Sequence, residues 1–349
     1  MSMASQAALR IISAGPGTTL QDAGRHFYLR FGITAAGPMD PLAHATANLA
    51  VGNARGATAI EVTLGGIEVT AEGRPLAIAI AGGDFAISLD GRPLPSGCVL
   101  LTLDPGAVLK IRAGQGGAWC YLAIAGRLDV SEVLGSHATH TRTGLGGIDG
   151  RALRAGDRLR VAPSGAAAVS LGVYAAMFAA PWLDRPPGII RVVLGPQEDY
   201  FAEDQIAAFR DGPWRVSTKA DRMAFFIDGP TLTHIRGYNI VSDGIVMGAI
   251  QVPGNGRPIV LMADRQSTGG YPKIATVIGP DLGRLAQTRA GAEFRFEIVS
   301  VEQAVAARRA EAAALASGIV VEPLVRTNLS SEFLLGLNLI DGVVAAGMP

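Results

Sequence analysis

The sequence lacks an excess of charge of either sign. Its 30 Lys and Arg balance 30 Asp and Glu, and no basic block interrupts the chain. Nucleic-acid binding depends on clustered Lys and Arg that neutralise phosphates, so nucleic acid is excluded as the main partner. Charged residues make up only 17% of the chain and hydrophobic residues 49%, which argues against disorder. A chain of 349 residues is long enough for two domains, each with its own core.

The sequence is also poor in cysteine and in long hydrophobic runs. Cys98 and Cys120 match no CxxC spacing, and Cys120 lies in an apolar run that predicts a buried thiol. The first residues show no secretory signal. Residues 166–183 form an uncharged stretch of membrane-spanning length, but they are rich in alanine and end in Pro181-Trp182. We therefore expect a core strand followed by a linker, and a cytoplasmic protein without membrane contact.

Glycine and proline, by contrast, are abundant, with 45 and 20 residues. Gly65-Gly66 separates two strand-like segments, 59–64 and 67–71, and predicts a two-residue hairpin. Asp90-Gly91 predicts a second hairpin between 86–89 and 92–94. Further strands are predicted at 76–81, 108–112, 119–125, 158–162, 189–194, 215–218, 224–228, 259–263 and 293–299. Short strands at this spacing indicate barrels or sandwiches rather than βαβ units.

The few predicted helices are marked by capping residues. Asp40 precedes Pro41 and caps a helix that runs to about Val51. Ser300 and Gln303 form a capping box for a helix over 301–317. Shorter helices are predicted at 202–209 and after Asp281.

A proline-rich segment, residues 181–188, gives the best domain boundary, because it separates two halves that are dense in strands. The sequence thus predicts an N-terminal β domain over 1–185 and a second β domain over 186–300. The C-terminal helix and tail occupy 301–349.

Self-contained catalytic signatures are missing. There is no G-x-x-x-x-G-K-[ST] phosphate loop and no G-x-S-x-G nucleophile elbow. His137 and His140 are three residues apart, but no cysteine or carboxylate lies at a ligand-like spacing from them. A hydrogen-bonding pair is therefore favoured over a metal site, and no metal is predicted.

The densest group of polar side chains lies between residues 242 and 273, in the sequence SDGIVMGAIQVPGNGRPIVLMADRQSTGGYPK. Its functional groups are those of Gln251, Asp264, Arg265, Tyr271 and Lys273. The segment also reads as two hairpins joined by an Asp264–Arg265 turn. We favour a binding site, because several kinds of polar group are gathered among glycines next to a buried strand.

A second polar cluster, Asp221-Arg222, follows a predicted strand. The simpler interpretation is an exposed ion pair, which contributes under about 1 kcal/mol to stability.

Longer motifs run through most of the chain. They are PGTTLQDAGR (16–25), GITAAGPMD (32–40), ANLAVGN (47–53), VLGS (133–136), LGGIDGR (145–151), GPQ (195–197), DYF (199–201), DRM (221–223) and the segment 244–273. With these motifs the chain resembles the biotin-dependent carboxyltransferase family. The matching branch includes KipA-like proteins, allophanate hydrolase subunit 2 and the C-type subunit of 5-oxoprolinase. The resemblance covers about residues 10–305.

The resemblance implies a mainly β fold of two cyclophilin-like β-barrel domains, with a few short helices and a C-terminal helix. It also implies a component of an ATP-dependent enzyme similar to 5-oxoprolinase, which opens 5-oxoproline to glutamate. The implied partners are a KipI-like, B-type subunit and, in many members, a LamB/YcsF-like, A-type subunit. Because the chain has no phosphate loop, ATP is expected to be bound by, or shared with, a partner.

The same resemblance leaves two other functions open. One is the carboxyltransferase half of an enzyme that moves a carboxyl group from carboxybiotin to urea or a related amide, with biotin carried on another chain. The other is a KipA-like regulatory partner of a KipI-like kinase inhibitor. Phe226 stands where family members commonly have arginine, so an amide other than 5-oxoproline stays open as the substrate.

Amide chemistry suggests roles for the candidate residues. A site for a small amide must hold N–C=O rigidly and stabilise charge on its oxygen. Lys273 or Arg265 is expected to stabilise that charge, and Tyr271 to donate a hydrogen bond or transfer a proton. The expected substrate-binding residues are Gln251, which contacts the amide, Asp264, which orients Arg265, and Gln266, Gly269, Gly270, Asp221 and Arg222.

Overall fold

Short, mostly antiparallel strands make up most of the fold. The structure, a computed structural model, describes residues 6–163, 175–185 and 188–323. Within these ranges it has 23 strands and four α-helices, so the predicted mainly β fold with few helices is confirmed.

The strands fall into an N-terminal and a C-terminal set. The N-terminal strands are β1 (Ala8–Ala14), β2 (Thr19–Gln21), β3 (Ala59–Val62), β4 (Ile67–Glu72), β5 (Leu76–Gly82), β6 (Ala86–Leu89), β7 (Arg92–Leu94), β8 (Val99–Leu103), β9 (Val108–Arg112), β10 (Cys120–Ile124), β11 (Arg127–Leu128), β12 (Arg158–Ala162) and β13 (Ala175–Ala179). The C-terminal strands are β14 (Ile189–Leu194), β15 (Trp214–Ala220), β16 (Ala224–Asp228), β17 (Asp243–Gly244), β18 (Ala249–Gln251), β19 (Ile259–Leu261), β20 (Thr268–Gly269), β21 (Lys273–Val277), β22 (Glu293–Ile298) and β23 (Val320–Pro323).

The helices are α1 (Pro41–Ala50), α2 (Glu203–Asp211), α3 (Gly279–Ala286) and α4 (Val301–Ala316). The predicted caps are confirmed: Asp40 accepts from the Ala43 amide at 3.2 Å, and Ser300 and Gln303 form the capping box. Helix α3 begins at Gly279, three residues before the start expected after Asp281. Its first turn contains Pro280, and the Asp281 carboxylate is bound by Arg191.

Two seven-stranded sheets build the N-terminal half, in the strand orders β11-β12-β1-β4-β9-β6-β7 and β2-β3-β10-β5-β8-β13-β23. They enclose one core of Leu, Ile and Val side chains. Strand β23 follows the C-terminal half in sequence yet pairs with β13 of the second sheet. The three-part division of the chain stays a prediction. The tail beyond residue 323 and residues 166–174 of the uncharged stretch lie outside the described residues.

The predicted hairpin across Gly65-Gly66 is wrong. Strand β3 pairs with β2 and β10 in one sheet, whereas β4 pairs with β1 and β9 in the other. The glycine pair therefore carries the chain from one sheet to the other. Glycine is needed because the backbones come close together: a Cβ on Gly65 would lie 2.7 Å from the Gly15 Cα. The Asp90-Gly91 hairpin is confirmed, with β6 and β7 paired and positive φ at both turn residues.

The second sheet is buried on both faces, and the two faces differ in side-chain size. Along β5, Ile78 and Ile80 point into the core between the sheets, while Ala79 and Ala81 point toward α1. Because α1 presents alanines in return, helix and sheet pack closely. Cys120 lies in the core as predicted, where burial raises the pKa of its thiol.

The C-terminal half is a closed barrel of strands β14-β21-β18-β19-β16-β15-β22. Strands β14 and β22 are parallel, and the other neighbours are antiparallel. Aromatic rings pack together in its core, with Phe209 stacked on Phe296 at a centroid distance of 4.6 Å. No helix in the described ranges has the length and hydropathy needed to cross a bilayer.

We expect His44 to make stability depend on pH. His44 is buried on α1, where burial lowers the pKa of its imidazole to about 4 from 6.5, against the opposing charges of Asp22 and Asp40. The unfolded chain therefore binds this proton more tightly, so stability falls as the pH drops from about 6.5 toward 4, by about 3 kcal/mol. Urea unfolding across this range measures the effect.

The control is His44→Gln, which cannot titrate. Between pH 6.5 and 4, the free energy of unfolding of this variant should fall by about 3 kcal/mol less than that of the wild type. Parallel curves for the two proteins would contradict a neutral, buried imidazole.

Candidate active site

A two-stranded sheet, which we call the flap, lies outside the barrel. It consists of β17 and β20, with Asp243 opposite Gly269 and Gly244 opposite Thr268. The Ile245 amide extends the pairing by donating to the Ser267 carbonyl at 3.1 Å. The flap therefore joins both ends of the polar segment identified in the sequence.

Beneath the flap, a bulge in the barrel places a lysine beside a glutamine. Ile250 of β18 lies opposite Ala275 of β21, but the next residue, Gln251, lies opposite Lys273. Ile274 is thus the extra residue of the bulge, and a regular ladder would have placed it opposite Gln251. Because residues opposite each other across two strands are neighbours, the bulge places Lys273 next to Gln251.

The Lys273 side chain is buried and paired with the flap. The residue is 4% exposed, and its Nζ lies 3.0 Å from Asp243 Oδ2. This hydrogen bond lowers the pKa of the Asp243 carboxyl. The backbone amide of Lys273 donates to Gln197 Oε1 at 3.2 Å. A buried ammonium needs such a partner, because desolvation disfavours its charge.

Gln251 is 2% exposed, and its Nε2 has no hydrogen-bond partner among the described residues. The amide lies directly under Gly269, where an added Cβ would be 2.3 Å from Nε2. A buried donor without a partner costs about 1–3 kcal/mol. The geometry therefore aims an unused N–H group at the underside of the flap.

Arg265 holds the chain next to the flap. Its Nε donates to the Ile245 carbonyl at 3.2 Å, and burial lowers the pKa of the guanidinium although the charge of Asp264 opposes this. Gly270 lies against the other end of the segment and accepts from the Ile240 amide at 2.8 Å. Three of the predicted side chains thus contact the flap or Ile245, the residue that follows its first strand. They are those of Lys273, Gln251 and Arg265. Their chemical roles stay predictions.

The remaining candidates lie elsewhere or at the surface. Tyr271 and Gln266 are exposed beside the flap. Asp221 is exposed and pairs with Arg142 at 2.8 Å, so the simple ion-pair interpretation describes this residue.

Asp264 does not bind Arg265 as expected. Both of its carboxylate oxygens accept from Arg222, at 3.0 and 2.8 Å. Ala224 at the start of β16 pairs with Leu261 at the end of β19. Arg222 precedes β16 and Asp264 follows β19, so the pairing of these strands brings the two residues together. Arg222 also binds Glu61 of the N-terminal half and donates to the Gly37 carbonyl at 2.7 Å.

These residues form a buried cluster between the two halves, which we call the junction cluster: Glu61, Tyr121, Arg222 and Asp264. Glu61 accepts from the Tyr121 hydroxyl at 2.7 Å and from the Met39 amide at 2.8 Å. Burial alone would lower the pKa of Arg222, but the charges of Glu61 and Asp264 hold it above its ordinary value. Glu61 was not predicted as a site residue, although an acid within the apolar strand Ala59–Val62 is a usable signal.

Asp40 does more than cap α1. Its carboxylate also binds Arg185 and accepts from Gln287 Nε2 at 3.0 Å. Although burial would raise the pKa of Asp40, Arg185 and Gln287 hold it below its ordinary value. Gln287 also accepts from the Ala118 amide at 2.8 Å, so it ties the barrel to the N-terminal half.

The two histidines of the His137–His140 segment form hydrogen bonds. His137 Nδ1 lies 2.8 Å from Thr58 Oγ1, and His140 Nδ1 lies 2.6 Å from Thr143 Oγ1. The hydrogen-bonding interpretation is confirmed. In the part of the chain that the structure describes, no group of three or more His, Cys, Asp or Glu has a metal-binding arrangement.

Comparison with known proteins identifies the family. Residues 31–298 match the family described as carboxyltransferase domain, subdomain A and B. The chain belongs to this family. The junction cluster and the flap of this carboxyltransferase-domain protein both lie within the matched residues.

Similar proteins occur as separate subunits and as parts of larger chains. The C-type subunit of 5-oxoprolinase from Escherichia coli K12 is 38% identical over 302 residues, which are 86% of this chain and 94% of that protein. Its counterpart from Haemophilus influenzae, also a C-type subunit of 5-oxoprolinase, is 36% identical over 83% of this chain and 91% of its own length. The crystal structure of Kluyveromyces lactis urea amidolyase matches 94% of this chain with a TM-score of 0.82 at 26% identity. This chain spans only 21% of that larger protein.

We expect Arg222 of this carboxyltransferase-domain protein to act on stability. Arg222→Met leaves Glu61 and Asp264 buried without their cation and should cost about 3–5 kcal/mol. Asp221→Asn, at the exposed neighbouring position, should cost under about 1 kcal/mol. Urea unfolding of both variants measures the difference. Equal, small effects would show that the junction cluster does not hold the two halves together.

Proposed function

We propose that this chain is one component of a multi-subunit, ATP-dependent enzyme that opens the lactam of 5-oxoproline to glutamate. One observation carries the proposal: the similarity to the C-type subunit of E. coli 5-oxoprolinase extends over 94% of that protein at 38% identity. A similarity that covers a whole subunit supports a whole-subunit role better than a shared domain does.

The geometry beneath the flap supports this chemistry. A lactam is a poor electrophile, because its nitrogen lone pair is delocalised into the carbonyl. A site that opens it must fix the amide and stabilise charge on its oxygen. Gln251 and Lys273 offer an amide donor and an ammonium side by side on paired strands. In this proposal Gln251 contacts the amide, Lys273 or Arg265 stabilises the charge, and the exposed phenol of Tyr271 serves proton transfer.

ATP and the partners belong to the same proposal. With no phosphate loop in the sequence, ATP is bound by or shared with a KipI-like, B-type partner, and a LamB/YcsF-like, A-type partner completes the complex. Exposed apolar side chains within eight residues of the flap strands in the sequence support a protein contact there. They are Ile235, Tyr238, Val241, Val246 and Tyr271.

The second candidate function is carboxyl transfer to urea or a related amide. The likeness to K. lactis urea amidolyase over 94% of this chain favours it. Biotin would then be carried on another chain, and it would supply the activated carboxyl group.

We expect Lys273→Ala to lower turnover about 100-fold, since Lys273 is the buried ammonium beneath the flap and the substrate becomes more negatively charged as it reacts. The chain is co-expressed with its partner subunits, and ADP and glutamate released from 5-oxoproline are measured. The chain has only three lysines, and the exposed Lys219 provides the matched control, Lys219→Ala, which should keep full activity.

Two results would change this proposal. Full activity of Lys273→Ala would remove the ammonium from the mechanism. An intact complex that is inactive on 5-oxoproline but carboxylates urea in the presence of carboxybiotin would favour carboxyl transfer.

A further inference from the structure

The ion pair between the flap and the barrel joins two side chains of very different exposure. The Asp243 side chain is 57% exposed, whereas that of Lys273 is 5% exposed. A surface carboxylate thus reaches inward to a buried ammonium. Since the group bound to Lys273 is itself a carboxylate, a carboxylate has both the size and the charge that this position accepts.

The residue pair of the flap that contains Asp243 also covers the unpaired donor of Gln251. Asp243 and Gly269 are opposite each other in the flap, just as Lys273 and Gln251 are opposite each other in the barrel. Asp243 therefore covers the ammonium while Gly269 covers the amide. Gln251 Nε2 gains a hydrogen bond when an acceptor oxygen replaces the Gly269 backbone above it.

We propose that Asp243 is a displaceable latch, and that Lys273 and Gln251 beneath it bind a small substrate that carries a carboxylate and an amide carbonyl. The substrate carboxylate replaces Asp243 on Lys273, and its carbonyl oxygen accepts from Gln251. Of the two cations proposed to stabilise charge on the reacting oxygen, Arg265 then takes that role. The inference rests on the proposed function, because it assigns the residues that hold the two polar ends of a 5-oxoproline-like substrate.

The surroundings of the flap allow this exchange. A recess of about 610 Å³ lies beside it and is lined by Asp243, Gln197, Ser242 and Arg236. Lys273 and Gln251 do not line this recess, so a molecule in it reaches them only when Asp243 is displaced. This volume is sufficient for a small molecule. The flap is only two residues long on each strand, so lifting it breaks few backbone hydrogen bonds.

The lysines give a direct measurement of the exchange. Because the chain has three of them, isotope-labelled lysine yields three sets of side-chain NMR signals, assigned with Lys110→Arg and Lys219→Arg. The probes are 5-oxoproline and 2-pyrrolidinone, which has the same lactam without the carboxylate. We expect 5-oxoproline to shift the Lys273 signals and 2-pyrrolidinone to leave them nearly unchanged.

The latch is tested by Asp243→Asn. Removing the competing carboxylate should lower the Kd for 5-oxoproline about 5-fold, the range expected for an ion pair with one exposed partner. Hydrogen exchange of the Ile245 amide, measured without ligand, should become faster by a similar factor. The matched control is Asp228→Asn at the end of barrel strand β16, where the exposed carboxylate pairs with Arg257 at 3.4 Å. It should change neither quantity.

Several results would overturn the inference. Equal Lys273 shifts with both probes, or no shift with either, would contradict the carboxylate site. An unchanged Kd or unchanged Ile245 exchange in Asp243→Asn would contradict the latch. ATP-dependent glutamate formation in the assembled complex would leave the proposed function intact in each of these cases.

Discussion

The buried charge of Arg222 is the constraint on which the arrangement of the site depends. A desolvated guanidinium needs acceptors on every side, and the chain supplies them from distant segments, as Glu61, Asp264 and the Gly37 carbonyl. The two halves are therefore held in one relative position. The backbone follows the same pairing, because the Asp264 amide donates to the Arg222 carbonyl at 2.8 Å. Arg265 follows Asp264 in the chain, so the junction cluster also fixes the position of Arg265. The Arg265 side chain in turn binds the Ile245 carbonyl next to the flap.

The protein uses similar ion pairs for two different purposes, and burial decides which. In the junction cluster all partners are withdrawn from water, so removing one partner costs several kcal/mol and the cluster is structural. In the flap, Asp243 pairs with Lys273 but remains exposed to water, and such an ion pair contributes under about 1 kcal/mol to stability. A pair of that strength can exchange with a ligand. Residue type alone does not separate the two cases, since both are carboxylates paired with basic side chains.

Local signals in the sequence predicted the local features of the structure. The Asp40 cap, the Ser300–Gln303 capping box and the Asp90-Gly91 hairpin all depend on residues within a few positions of one another. Features set by distant pairing were not predictable in this way. The partner of Asp264 is decided by the pairing of β16 with β19, and the strand after Gly65-Gly66 joins the opposite sheet. The sequence located the polar segment 242–273, but only the bulge at Ile274 shows why Lys273 faces Gln251.

The hydrogen-bond partners of the Lys273 ammonium and the Gln251 amide decide whether the flap stays closed or a substrate binds. One ammonium accommodates one carboxylate closely, so Asp243 and a substrate carboxylate exclude each other on Lys273. The exchange leaves the charge of the site unchanged and forfeits a contact worth under about 1 kcal/mol. Gln251, in contrast, has no partner among the described residues under the closed flap, which costs about 1–3 kcal/mol, and a ligand oxygen supplies one. The free energy gained by pairing the Gln251 donor exceeds that lost with the Asp243–Lys273 contact, so the bound state is favoured. A substrate with both a carboxylate and a carbonyl oxygen therefore opens the flap more effectively than a substrate with only one of them.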